Sequence, residues 1–398
     1  MKESHIKIKF LIYALLVCPI LISQAEENKF VPYYQFNFSE GLSMPSKGDF
    51  FANHEVDTKV GAQWAATDRF KLFGLYDLSY EGPGLNRSEG RLFTERAIRH
   101  SLMAEPSYEL PIIGALKTRV FGIFEKRRSG TNELWGKGLY DYKAYGGSLG
   151  IERKVSDWRI TPSVRYTLMK FPNYTDLLRE FQSGGLTAEI AGGLIDQKVY
   201  GAGIFATRKN ITFSADYNQQ NFNKEKVVES NGTYGSSNQQ DKTIGISGEG
   251  EYTLWRFTTI PKVSINLKRS NQNFLKFAFF GDTAPVFVAK NYDYNEIKAA
   301  STFLTRLTQR KYIYTGLDLN WRNYTNRPPR DGSGAYISGK QKNFWAAYSF
   351  GFRWKSTEYT TWTLAYSFVF ASSNMKFESF IPYNYTGQMI GMYFTVNP

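Results

Sequence analysis

The ionisable residues that could do chemistry in this chain stand at alternate positions of short segments, not in compact motifs. The basic members are Lys59, Lys71, Lys117, Arg119, Arg159, Arg165, Lys262, Lys268, Lys298, Arg306, Arg322 and Arg353; the acidic ones are Asp57, Asp77, Glu125, Asp216, Glu249, Glu251, Glu296 and Asp318. In an extended strand they would share one face, opposite an apolar set. Two roles fit such a wall. The basic excess, twelve to eight, would draw anionic solutes, whereas cross-strand pairing of opposite charges would stiffen the sheet.

Covalent chemistry has fewer candidates. Beyond residue 25 the histidines are His54 and His100, and a Ser–His or Asp–His dyad would have to use one of them. His100 adjoins Ser101 but shares parity with Ile98, Leu102 and Ala104, so a hydrolase is the weaker reading. The single cysteine is Cys18, which leaves no disulfide framework, Cys-based zinc site or Cys nucleophile beyond it. Asp331-Gly332-Ser333-Gly334 lacks the alternating acids and final Glu of a calcium loop and reads as a turn. No metal site and no cofactor is expected.

The elements that must hold the charged wall are strands, because the dominant period after residue 30 is two. From Thr361 to Ala371 the even positions are Trp362, Leu364, Tyr366, Phe368 and Phe370, and the odd ones are small or polar. Trp158 to Leu168 and Phe257 to Lys268 repeat the pattern. Pro162 and Pro261 cannot donate to a ladder, and the apolar parity flips between Tyr142 and Tyr145 around Gly146-Gly147, so local bulges are expected at all three places.

Connections alternate between short and long. Short ones fall near Thr67-Asp68, Leu110 to Gly114, Ser156-Asp157, Arg208 to Asn210, Arg256, Gln309-Arg310 and Ser356 to Thr360. Long polar stretches lie near 41 to 52, 81 to 94, 128 to 138, 171 to 195, 223 to 240, 271 to 293, 325 to 340 and 374 to 384. This is the hairpin period of an all-β, antiparallel, up-and-down transmembrane barrel of about 16 strands (range about 14 to 18), with short periplasmic turns and long extracellular loops. Seven of the eight tryptophans fall near predicted rims, with Trp64, Trp158, Trp255, Trp354 and Trp362 by short turns and Trp321 and Trp345 by long loops. Indole prefers the water–lipid boundary, so two girdles are expected.

Composition agrees. Of 398 residues 42% are hydrophobic, and a mean hydropathy of −0.41 is too polar for a bundle of membrane helices. An aromatic share of 17% exceeds what a soluble core needs. Residues 1–25 read as a cleaved secretory signal: Lys2, Lys7 and Lys9, an apolar run from Phe10 to Ile22, then Ser23-Gln24-Ala25. Removing it, with Glu3, takes the net charge from +13 to +11 and leaves one barrel domain over 28–398. Nucleic acid is an improbable partner for an exported barrel despite the basic pI; anionic lipopolysaccharide at the outer rim would suit the charge better.

At this point the chain resembles the porin-sized outer-membrane β-barrel proteins of Gram-negative envelopes. Gly391-Met392-Tyr393-Phe394-Thr395-Val396 is similar to the C-terminal signal that hands such chains to the barrel assembly machinery, although Asn397-Pro398 follows where a terminal aromatic is usual. The Pro-Glu-Phe-Gly-Gly stretch of general porin constriction loops is absent, so no specific family is assigned. The resemblance implies residence in the outer membrane among its lipids, no catalysis, passive diffusion of small hydrophilic solutes and homo-trimers. The basic excess adds a weak anion preference, and a surface adhesin without conduction is the alternative.

Two loops are singled out. In 171 to 195, Thr175 could cap a short helix carrying Asp176, Arg179, Glu180 and Phe181, which would fold inward as a constriction or cap the surface. The stretch 271 to 293 is oddly apolar, with Phe274, Phe277, Phe287 and Val288, and would either line the mouth or add a hairpin and raise the barrel to eighteen strands.

Overall fold

The computed structural model describes residues 30–397 apart from 48–50, 83, 87–90, 94–95, 129–133, 176–191, 277–285 and 379–382. Sixteen antiparallel strands close into one barrel. The first eight are β1 Phe30–Pro45, β2 Phe51–Ala65, β3 Phe70–Gly82, β4 Arg96–Leu110, β5 Gly114–Arg128, β6 Tyr142–Val155, β7 Trp158–Lys170 and β8 Gln197–Arg208. The others are β9 Ile211–Val228, β10 Tyr234–Gly250, β11 Phe257–Ser270, β12 Tyr294–Arg306, β13 Lys311–Tyr324, β14 Lys342–Lys355, β15 Thr360–Ser373 and β16 Tyr385–Val396. Each strand pairs with its sequence neighbours, and β1 also pairs with β16 from Phe36↔Val396 to Pro45↔Gly387. Closure gives every strand two partners, the condition for sheet to exist in hydrocarbon. Sixteen strands spaced about 4.8 Å apart and tilted roughly 40° make a wall on the order of 30 Å across.

Local chemistry sets the short turns. In the four-residue turns Thr67, Thr308 and Thr357 each accept, at Oγ1, the backbone N–H three residues on, from Phe70 (3.0 Å), Lys311 (3.1 Å) and Thr360 (3.0 Å). The two-residue turns instead put Ser156, Lys209 and Trp255 at positive φ, which tightens the reversal; the last follows Tyr252–Leu254, a short segment that continues the β10 ladder against β11.

The long-loop end departs from expectation. The stretches 41 to 52 and 223 to 240 are mostly strand, and their connections shrink to 46–50 and 229–233. Above the membrane both faces meet water, so strand continues after hydrophobic alternation has vanished. The stretch 271 to 293 contains a separate hairpin, Phe274–Lys276 with Val286–Val288, and the wall stays at sixteen strands. Residues Asp176, Arg179, Glu180 and Phe181 lie outside the described residues, as do residues 1–25, read from sequence as a secretory signal.

The expected bulges are not there. β6 pairs with β5 and β7 without a register shift across Gly146 and Gly147. Tyr142 and Tyr145 differ in parity because Tyr142 faces inward near the rim, against Phe171 at 5.7 Å between ring centroids, not because the strand is bulged. A Cβ on Gly146 would lie 2.6 Å from the Phe121 ring, so this glycine makes room for an inward phenylalanine. At Pro162 and Pro261 the pairing to one neighbour lapses for two residues and resumes in the same register. A missing N–H is met by skipping a rung.

Apolar side chains cover the outer face. Leu102, Val164, Leu364 and Phe368 are exposed, and Trp64, Trp354 and Trp362 project outward by the short turns with Trp321 at the other end. Phe394 stacks on Trp362 at 4.4 Å between centroids and touches Phe36 across the closing seam at 6.3 Å. Trp345 departs from the girdle: it stands near the long-loop end as expected but faces inward, packed on Ala347, Val369, Ala371 and Tyr385, where the small Ala371 directly opposite and Ala347 beside it on β14 leave a hollow for the indole.

Orientation follows from loop length. Cysteines replacing Asn231 or Ser333 should react with a membrane-impermeant maleimide on intact cells, and one replacing Asp157 should not. Labelling at Asp157 would mean that the barrel is inverted.

Candidate functional site

The inner face is fixed by register. Thr363, Ala365, Ser367, Val369 and Ala371 are buried while the alternates Trp362, Leu364, Phe368 and Phe370 are exposed, and Ser367 Oγ lies 2.9 Å from Ser349 Oγ on β14. Opposite residues in a ladder share a face, so tracing partners around the barrel carries this assignment to every strand. All twelve basic residues proposed from sequence, and the eight acidic ones, fall on that face: Lys59 opposite Asp77, Arg119 beside Glu105, Arg165 opposite Ser148, Lys262 opposite Glu249, Arg322 opposite Glu296, Arg353 opposite Thr363.

Sequence reasoning missed some neighbours. Glu55, Glu81, Glu105, Glu109, Glu152 and Asp241 also face inward, as do Arg99, Arg127, Lys154 and Lys355. Glu105, Arg127 and Asp241 have no large apolar neighbour, as with Asp241 after Asn238-Gln239-Gln240, so parity had no mark to count from; Glu109 between Tyr108 and Leu110 and Arg99 beside Ile98 had one and were readable. Six acids and four bases halve the basic surplus.

Most of these charges are paired. Lys117 and Arg159 meet Glu152 at 2.6 and 3.6 Å, Arg119 Nε donates to Glu105 at 2.8 Å, Lys268 meets Asp241 at 2.7 Å and Lys262 meets Glu249 at 3.3 Å. Lys59 meets Asp57 at 2.9 Å. Arg165 donates to Asn218 at 2.6 Å, and Asn218 donates to Asp216 at 2.7 Å. The tightest group is Glu296, 3% exposed at its side chain, bound by Arg322 at 2.7 Å and Lys298 at 3.1 Å.

Four predicted cations stand apart. Lys71, Arg165, Arg306 and Arg353 form no ion pair among the described residues, Arg165 being held only through neutral Asn218. Arg306 and Arg353 flank Tyr312 in the ladder near the short-turn end, the Arg353 guanidinium lies 5.8 Å from the Tyr314 ring, and Lys355 Nζ lies 5.7 Å from Tyr312. Lys71 on β3 and Arg165 on β7 aside, the unpaired cations gather in a cation–tyrosine patch on β12 to β14.

Loops above the wall are tied by carboxylates. Glu378 is bound by Lys47 and accepts from the backbone N–H groups of Tyr383 (3.0 Å) and Asn384 (2.7 Å). Its partial burial would raise the carboxyl pKa, but Lys47 and these donors hold it below the ordinary glutamate value. Asp331 closes the expected turn by accepting from Ser333 Oγ (2.6 Å) and Ala335 N (3.0 Å), and the Ser333 hydroxyl leads in lowering its pKa.

The candidate dyad separates. His100 faces outward, its Nδ1 2.8 Å from Tyr76 Oη, while Ser101 faces inward opposite Asp77. His54 also faces outward, opposite Glu40, with its Nδ1 3.8 Å from that carboxylate.

A closed antiparallel barrel with an apolar exterior and a charged interior is the architecture of outer-membrane β-barrels, and solved structures similar to the chain are of that kind. CdiB from Acinetobacter baumannii aligns with a TM-score of 0.50 at 10% identity, over 92% of this chain and 60% of its own. The copper transporter OprC aligns at 0.48 and 8% identity, over 94% of this chain and 81% of its own. OmpT, an outer membrane protein of Vibrio cholerae, aligns at 0.45 and 11% identity, over 94% of this chain and all of its own. No family model and no curated protein matches the sequence.

Proposed function

We propose that the chain is an outer-membrane channel for passive diffusion of small hydrophilic solutes. The observation that carries this reading is the inner face: paired and unpaired charges, serines, threonines and asparagines line a wall on the order of 30 Å across, too wide for side chains alone to fill. Purified protein in a planar lipid bilayer should give stable single-channel steps. Silence across many insertions would favour an adhesin presenting its loops.

The weak anion preference now rests on the cation–tyrosine patch. Arg306→Gln with Arg353→Gln should move the reversal potential in a KCl gradient toward zero, more at low salt, since screening length falls from about 8 Å at physiological ionic strength to about 3 Å at 1 M. A cation-selective wild type would defeat this. Arg159 and Arg165 are poorer choices, because Glu152 and the Asn218–Asp216 relay already hold them.

A further inference from the structure

We propose that one arc of the outer face, from β5 to β11, is a binding surface for phosphorylated headgroups of the outer-leaflet lipid. Lys126, Lys143, Lys170, Lys198, Lys242 and Arg269 all point outward near the long-loop end and all are exposed. None has a carboxylate partner among the described residues; Arg269 donates only to neutral oxygens, those of Lys268, Tyr294 and Asn295.

The six form a belt at one height. Ladder rows climb toward the long loops as strand number rises, so a level belt must step down through successive rows. It does: Lys143 opposes Lys170, Lys198 opposes Leu168 two residues below Lys170, and Lys242 opposes Gln219, whose other partner is Tyr200, two residues below Lys198. With about 3.3 Å of rise per residue and a tilt of roughly 40°, the six lie within about 6 Å of a common level.

Two features point to an anion. Lys143 faces Lys170 and Lys242 faces Arg269 directly across the ladder, where like charges destabilise a sheet unless something negative lies between them. Immediately beneath runs an exposed aromatic row, Phe124, Tyr145, Tyr166, Tyr200 and Tyr217, with Phe124–Tyr145 centroids 5.6 Å apart and Tyr166–Tyr200 5.3 Å apart. Such a row marks the edge of the hydrocarbon, which sets the cations at headgroup depth. On β16, β1 and β2 the same level holds Gln388, Leu42, Met44 and Ala52, so the charge is confined to one side.

The test is retention of bis-phosphorylated lipid A against the same lipid with its phosphates removed, read by native mass spectrometry of the full-length folded protein. Wild type should keep the phosphorylated form more than tenfold better and lose that advantage at about 0.5 M salt. Lys143→Gln with Lys170→Gln, Lys198→Gln and Lys242→Gln should abolish the preference, and the four Lys→Arg changes should keep it. Equal retention of the two lipids by wild type, indifference to salt, or an unchanged preference in the glutamine variant would each overturn the assignment. The first two need no variant to fold, and neither depends on conduction.

Discussion

Phe368→Arg should sharply reduce the amount of folded protein in the outer membrane, at a cost of about 2 to 4 kcal/mol, the range for a cation at mid-depth on a barrel's lipid face. Phe368 is 37% exposed, near the middle of β15, and its neighbours on that face are Leu364, Tyr366 and Phe370. Ser367→Arg, one residue away, loses the hydroxyl contact with Ser349, worth about 1 kcal/mol, and its guanidinium can reach into the lumen. Heat-modifiability on gels and urea unfolding in vesicles should separate the two variants. Equal damage from both would sink the face assignment.

Glu296→Ala should cost about 3 kcal/mol, because it strands the buried Arg322 guanidinium, not because the ion pair is itself strongly favourable. Arg322 is 14% exposed at its side chain and relies on Glu296 at 2.7 Å; Asn266 and Asn320 donate to the same carboxylate at 3.4 Å. Adding Arg322→Met removes the orphaned charge, so the double variant should unfold at higher urea than Glu296→Ala alone. If the second change lowers stability further, the carboxylate is not what holds the guanidinium.

The wall was legible in the sequence because hydrocarbon outside and water inside impose opposite demands on successive residues. Where only one of those solvents acts, the signal fades. Val228 and Tyr234 belong to strands that project beyond the bilayer, where neither face is marked, so their hairpin read as loop. Trp345 misled for another reason: residue type suggested an outward girdle position at the rim, but the small Ala371 opposite it and Ala347 beside it go with an inward side. The charged residues at strand centres were readable from parity, whereas Glu105 and Asp241 were not; with these two and Glu152 went half of the pairing that reduces the basic surplus. The cation belt was invisible because its members are far apart in sequence and meet only through the stagger of the strands.

The seam between β1 and β16 joins residues as distant as Phe36 and Val396, and even its nearest contact, Ser46 with Thr386, spans 340 positions. Until the twelve residues of β16 are in place the sheet has two raw edges, each offering a full row of unpaired backbone groups to any other chain. Loop-closure entropy must be met across nearly the whole polypeptide before that last ladder repays it, a topology of high contact order and slow completion. A frameshift just ahead of Tyr385 would therefore be as damaging as one near Phe30: it would yield an aggregation-prone open ribbon, not a slightly shortened barrel.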